Sequence, residues 1–341
     1  MKRLLLLSLF IPILCFGQYT DIPDQNFEQA LIDLGYDNVI DGQVLTSSIS
    51  AITNLDVSNK SIQYLTGIEA FTSLINLDCS DNFLSSLNLG QKQSLKDLEC
   101  QSNQITSINI SDCPSLEFFD CNNNLLSSLD VNNKNSLDWL ICYDNLIGSL
   151  NLTGCSALRI LGCGNNLLNN LDLSDLTSLE NLGISQNNFS SIDLSQNSEL
   201  RDFVCMYNSF TSLDMSHNIE LDHLNCYSNQ LTCLNLKNCI KLSWLQIAQG
   251  NIYGNENLTC VEVTNPSTFF TTNTNSGQWT YSSDCNYQTG CFLNIIEEYQ
   301  FNIYIYPNPT NNLIQIEIEN YNGSFEAELY DFTGKLLENT N

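Results

Sequence analysis

Nine leucines (Leu74, Leu95, Leu116, Leu137, Leu158, Leu179, Leu200, Leu221 and Leu242) recur every 21 residues without slippage. Each opens the same pattern. After Leu74 come Leu77, Cys79, Asn82, Leu84, Leu87 and Leu89; after Leu95 come Leu98, Cys100, Asn103, Ile105, Ile108 and Ile110. The consensus is LxxLxCxxNxL followed by xxLxL. In LxxLxC the apolar residues alternate around a short strand, so one set of side chains points inward. One strand cannot bury that face alone. Stacked copies form a parallel sheet, with strands about 4.8 Å apart, over one continuous core in which each unit touches only its neighbours.

The polar slot has a structural explanation. Asn82, Asn103, Asn124, Asn145, Asn166, Asn187, Asn208 and Asn229 stand where the chain turns out of the strand. An amide both donates and accepts, so stacked Asn side chains can satisfy turn backbone groups that would otherwise be buried unpaired. The Cys slot is apolar: Cys79, Cys100, Cys121, Cys142, Cys163, Cys205 and Cys226 share it with Val57, Ile184 and Ile247, and a free Cys packs as a small hydrophobe. In-register Cβ atoms lie about 4.8 Å apart, beyond the roughly 3.5–4.5 Å of a disulfide, so this column is expected to be reduced. The period is not zinc spacing. Cys113, Cys155 and Cys239 share a second slot, never in adjacent units. On the return side, Asn88, Asn109, Asp130, Asn151, Asp172, Asp193, Asp214 and Asn235 read as turn-closing residues. One carboxylate per unit falls short of a calcium site, and no metal or cofactor is expected.

The repeat resembles the leucine-rich repeat. The resemblance implies a right-handed solenoid over residues 52–262, with a parallel sheet on its concave side and short irregular or extended return segments. Terminal units need caps. Residues 18–51 supply one: Asp24 is a candidate helix N-cap, Phe27, Leu31 and Leu34 make one face, and Gly35 is a stop. The stretch Leu65-Thr66-Gly67-Ile68-Glu69-Ala70-Phe71 resembles the opening repeat of internalin-like bacterial proteins. Residues 263–290 are expected to cap the other end, stapled by a Cys260–Cys285 disulfide with Cys291 as the competing partner.

The termini speak to compartment. Lys2 and Arg3 precede an apolar run from Leu4 to Phe16 that is too short to span a bilayer, so residues 1–17 read as a signal peptide. The net charge of −27, with 11 basic residues against 38 acidic, argues against nucleic acid and favours cationic partners. After a linker at 291–300, residues 301–341 change character. Tyr306-Pro307-Asn308-Pro309, the alternation of Ile314, Ile316 and Ile318, and Tyr330-Asp331-Phe332-Thr333-Gly334-Lys335 resemble the C-terminal sorting domain of type IX (Por) secretion. That resemblance implies a small β-sandwich-like domain that engages the type IX machinery. It also implies export across a Gram-negative outer membrane, followed by release or surface attachment. The family continues past the Gly-Lys turn with more strands, whereas this sequence stops at Asn341, so the expectation is either a fragment or an incomplete signal.

No catalytic motif is present, and His217 and His223 have no motif-placed partner, so an enzyme is not expected. The outward sheet positions are more informative. Their first third is acidic. The middle carries Phe118, Trp139, Ile141, Tyr143 and Ile160 beside Gly162, Gly164 and Gly183, which leave a shallow recess; the last third carries Tyr207, His223, Tyr227 and Trp244. Exposed aromatic clusters often mark binding sites, so these residues are the candidate site for a protein, peptide or glycan ligand. The alternatives are cross-strand stacking that only stabilises the sheet and a structural surface component with no discrete ligand.

Overall fold

Each LxxLxC segment forms a three-residue strand whose middle residue is buried. These strands are β1 (Asn54–Asp56), β2 (Asn76–Asp78), β3 (Asp97–Glu99), β4 (Phe118–Asp120), β5 (Trp139–Ile141), β6 (Ile160–Gly162), β7 (Asn181–Gly183), β8 (Asp202–Val204), β9 (His223–Asn225) and β10 (Trp244–Gln246). They form one ten-stranded sheet in chain order, parallel throughout and without a shift in register. This computed structural model describes residues 18–247, 254–258, 260–264 and 280–282 of one unit (residues 1–291), and strand residues 303–307, 314–318, 327–330 and 336–340 of a second (residues 292–341). The signal peptide lies outside the described residues, as do Cys285, Cys291 and the side chain of Cys260, and with them the Cys260–Cys285 pairing.

The repeat is a parallel-strand solenoid with a single core that includes the opening Leu, the strand Leu or Phe and the Cys, Ile or Val of the Cys slot. The Cys column is buried, and every member of it is a free thiol. The first step departs from the period: Asn54 pairs with Asn76, 22 residues on. Return strands pair in parallel too, Ser86–Asn88 with Ser107–Asn109 and Leu129–Asp130 with Leu150–Asn151. A four-stranded return sheet runs Ser212–Asp214, Cys233–Leu236, Cys260–Val263 and Thr280–Ser282, so coil-like pairing extends past residue 262. Cys233, in a slot that holds Ser or Asn in the seven preceding coils, is disulfide-bonded.

The Asn ladder works by sharing. Asn145 Nδ2 donates to its own coil's Cys142 O (3.2 Å) and Tyr143 O (3.2 Å) and to Cys121 O of the coil before (3.0 Å). Its Oδ1 accepts from Leu126 N at 2.9 Å. The same four contacts recur at Asn103, Asn124, Asn166, Asn187, Asn208 and Asn229, and the ladder ends at Asn255. The residue before each Asn is left-handed, from Asp81 (φ +53°) through Asp144 (+54°) to Ser228 (+54°). Short polar side chains tolerate that conformation best.

A second inward column, on the return side, holds Lys92, Cys113, Lys134, Cys155, Leu176, Asn197, Asn218 and Cys239. Lys92 is fully buried. Its Nζ donates to Leu89 O (2.8 Å) and Glu69 O (3.3 Å), and burial lowers its pKa. At the start of the unit, a helix over Gln25–Asp33 packs Phe27, Ala30 and Leu31 into the core. Asp24 caps it through Oδ1 while its Oδ2 accepts from Gln63 N and Tyr64 N, tying the helix to the first coil. Within the second unit, Ile303–Pro307 pairs with Ile314–Ile318 and Ala327–Tyr330 with Leu336–Thr340, both antiparallel.

Candidate functional site

In-register stacking draws the outward residues of β1–β10 into two straight columns. One runs Asn54, Asn76, Asp97, Phe118, Trp139, Ile160, Asn181, Asp202, His223 and Trp244. The other runs Asp56, Asp78, Glu99, Asp120, Ile141, Gly162, Gly183, Val204, Asn225 and Gln246. Three chemically different zones result.

The middle zone is apolar. The Phe118 and Trp139 rings stand 5.8 Å apart, tilted by 40°. Trp139 is 38% exposed and Tyr143, at the exit of β5, is 41% exposed; Phe118, Ile141 and Ile160 are half-buried. A Cβ on Gly162 would sit 3.3 Å from Ile141 Cδ1, so Ile141 leans over that glycine. At Gly183 the nearest atoms are backbone, at 3.9 Å, which leaves open floor. The recess expected from the glycines is therefore partly filled over Gly162 and open over Gly183.

The last zone is mixed. His223 Nδ1 lies 3.1 Å from Asp202 Oδ1 and 3.3 Å from Asp222 Oδ2, and its ring is 6.2 Å from that of Trp244. Tyr207 takes the left-handed slot (φ +55°), where a bulky side chain is strained. It packs edge-on against Tyr227, with centroids 5.3 Å apart. Tyr227 is only 7% exposed. Tyr207 is thus the accessible ring of the pair, and Tyr227, expected from the alternation to face outward freely, is held in this contact. The alternation could not show this, because the contact is set by the left-handed turn of the previous coil.

The first zone is acidic. A recess of about 430 Å³ is lined by Asp56, Asp78, Asp97 and Glu99, with Leu34 and Tyr36 after the N-terminal helix closing one side. Asp78 Oδ1 accepts from Ser80 N (2.9 Å) and Oγ (2.6 Å), and Asp120 Oδ1 from Asn122 N (3.0 Å) and Nδ2 (2.6 Å). Burial, then the negative charges of Asp78, Asp120 and Asp97, push the Glu99 carboxyl above its ordinary value. Burial raises Asp120 as well, and burial with Glu117 raises Asp97.

Sequence reading overlooked how the basic residues are used. One slot before the first column, Lys96 pairs with Glu117 (2.6 Å), Arg159 with Asp138 (2.6 Å) and Glu180 (3.6 Å), and Arg201 with Glu180 (3.9 Å). The alternating signs along that slot were the available signal. Among the described residues, no group of His, Cys, Asp or Glu could hold a metal ion, and no helix is long and apolar enough to cross a membrane.

Residues 304–341 match the family described as the secretion system C-terminal sorting domain. Comparison with curated proteins gives no match. Among solved structures, the chain is similar to the functional domain of InlJ from Listeria monocytogenes, described as including a cysteine ladder: 25% identity, TM-score 0.51, 73% of this chain and 68% of that one. It is similar to internalin C2 of the same organism, with 24% identity, TM-score 0.53, and 64% and 99% of the two chains. It is also similar to YopM from Yersinia enterocolitica, with 24% identity, TM-score 0.51, and 62% and 46% covered. Stacked register, Asn ladder and buried Cys column give this chain a leucine-rich-repeat fold similar to that of the internalins, and residues 304–341 match the secretion-system sorting-domain family.

Proposed function

We propose that the chain is a non-enzymatic binding module, displayed on or released from the outer surface of a Gram-negative bacterium, that holds a ligand on the outward face of its long sheet. The observation that carries this is the middle zone. Phe118, Trp139, Ile141, Tyr143 and Ile160 put apolar surface on three adjacent strands next to open floor at Gly183, between the acidic and the mixed zones of the same face. Clustered exposed aromatics are where binding energy concentrates. The sorting domain supports export by type IX secretion.

Gly183→Leu is the cleanest test. A Cβ at this position meets nothing nearer than 3.9 Å, and Gly is a poor strand residue, so the variant should be at least as stable as the parent. It should nonetheless block the recess. Screened on protein, peptide and glycan arrays, the full chain should lose its interactions on Gly183→Leu and on Trp139→Ala, with the melting temperature little changed. If Trp139→Ala loses stability while both variants keep every interaction of the parent, the cluster is a cross-strand stabiliser and the reading fails.

A further inference from the structure

We infer that the partner of this face is a cationic extended peptide segment, whose Lys or Arg side chains lie on the acidic zone while an adjoining apolar residue seats in the Trp139–Gly183 region. The inference rests on the binding-module reading above and specifies its ligand.

The charge arrangement carries it. Asp56, Asp78, Glu99 and Asp120 occupy one column on four successive strands, and the column then continues as Ile141, Gly162 and Gly183. The chain has basic residues on this side, but Lys96, Arg159 and Arg201 stand in the neighbouring slot, each against a carboxylate of an adjacent coil. Among the described residues, no Lys or Arg forms an ion pair with Asp78, Glu99 or Asp120. Like charges one strand spacing apart repel, and from Asp78 to Asp120 no ion pair among the described residues offsets this; the raised carboxyl of Glu99, to which Asp78 and Asp120 contribute, agrees with that. An external cation would. Local bonds from Ser80 and Asn122 hold one oxygen of Asp78 and of Asp120, so these carboxylates are already oriented.

Geometry selects a peptide. Four coils span about 14 Å at one strand spacing per step, and side chains on one side of an extended peptide recur about every 7 Å. Two or three cationic residues at alternate positions therefore cover the acidic column, and their flexible stems absorb the mismatch. The column meets the aromatic zone at β4, where Asp120 is two residues from Phe118. A cation at the junction can lie over the Phe118 and Trp139 rings while facing Asp120.

The probe is a fluorescein-labelled peptide with three lysines at alternate positions followed by a leucine, titrated into the full chain. Controls are the same peptide with glutamine for lysine, and neutral oligosaccharides. The lysine peptide should bind at least about tenfold tighter than the glutamine peptide, and its affinity should fall several-fold as salt rises from about 50 to 300 mM. The triple variant Asp78→Asn, Glu99→Gln, Asp120→Asn should lose at least about tenfold while unfolding no earlier than the parent, because repulsion has been removed; misfolding would lower both. Equal binding of the two peptides, or undiminished binding by the triple variant, overturns the cationic assignment. If an oligosaccharide binds instead and Trp139→Ala abolishes it, the ligand is a glycan and only this inference falls. If Trp139→Ala and Gly183→Leu change nothing for any probe, the binding-module reading falls with it.

Discussion

Asn145→Ala puts the stacking logic to a quantitative test. Its loss leaves one group with no partner, the buried Leu126 N–H, whose acceptor is Asn145 Oδ1. The three carbonyls it serves are each held a second time: Cys121 O by Asn124 Nδ2, Cys142 O by Asn166 Nδ2 and Tyr143 O by Asn123 N. An orphaned buried N–H costs about 1–3 kcal/mol, and each bond lost from a carbonyl that keeps another donor roughly 0.5–1 kcal/mol. The amide has two hydrogens to lose, so the total is about 2–5 kcal/mol. At about 1.4 kcal/mol per tenfold, hydrogen exchange at Leu126 should speed up roughly 30- to 4000-fold, with the chain's unfolding midpoint shifted down. Asn145→Asp separates bonding from packing. The carboxylate keeps the size and still accepts from Leu126, but it can no longer donate, and its second oxygen meets three carbonyls. It should cost at least as much as Asn145→Ala. An Asn145→Asp chain as stable as the parent at neutral pH, or unchanged exchange at Leu126 in Asn145→Ala, would refute the shared-carbonyl account.

Burial pushes the Cys121 and Cys142 thiols well above their ordinary range, and neighbouring Cys and Asp120 charges add to it. A thiol reagent should therefore leave both unlabelled in the native chain and label them after denaturation; rapid native labelling would contradict the packing. Asp97, Glu99 and Asp120 are raised in the folded state, so the folded chain binds more protons than the unfolded one between their ordinary and raised values. Across that window their contribution to stability falls as pH rises, and it is recovered on acidification; Glu99→Gln should flatten this part of the urea-midpoint profile, and an unchanged slope would remove the repulsion from the account. The pairing of Leu234 with Val261 places residue 260 beside the disulfide-bonded Cys233, one residue before the paired register begins and so outside the fixed spacing that keeps the thiols of the Cys column apart. Peptide mapping without reduction should recover a Cys233–Cys260 link, and recovery of Cys260–Cys285 would restore the pairing expected from sequence.

Strand positions, the inward Cys slot and the role of Asn were legible because a gapless period makes every residue's neighbours known: what lies beside Trp139 is the residue 21 before it and the residue 21 after. The same periodicity placed Phe118, Trp139, Ile141 and Ile160 together. It could not show that Lys92 and Lys134 would be buried in the second inward column, because their ammonium groups are held by backbone carbonyls, which no side-chain pattern records. Nor could it show Tyr227 beneath Tyr207, a contact made between different slots of neighbouring coils. Cys233 was missed for a related reason: its slot is polar in the preceding coils, so nothing in the period marks it for pairing.

From Asn103 to Asn229 the bonds of the Asn ladder span constant separations: each amide reaches back 24, 3 and 2 residues, and each oxygen accepts from 19 residues before. Excising residues 158–178 would therefore bring Asn187 onto Cys142 O and Ile147 N, the groups that Asn166 serves now, with nothing left over at the seam. Whole coils are thus frame-preserving genetic units, and the length of the solenoid can drift by recombination without passing through a misfolded intermediate form. The outward face has no such protection, since losing that coil would set Trp139 directly beside Asn181 and Ile141 beside Gly183. In a lineage of such proteins, ligand preference should change in whole-coil jumps while the fold persists.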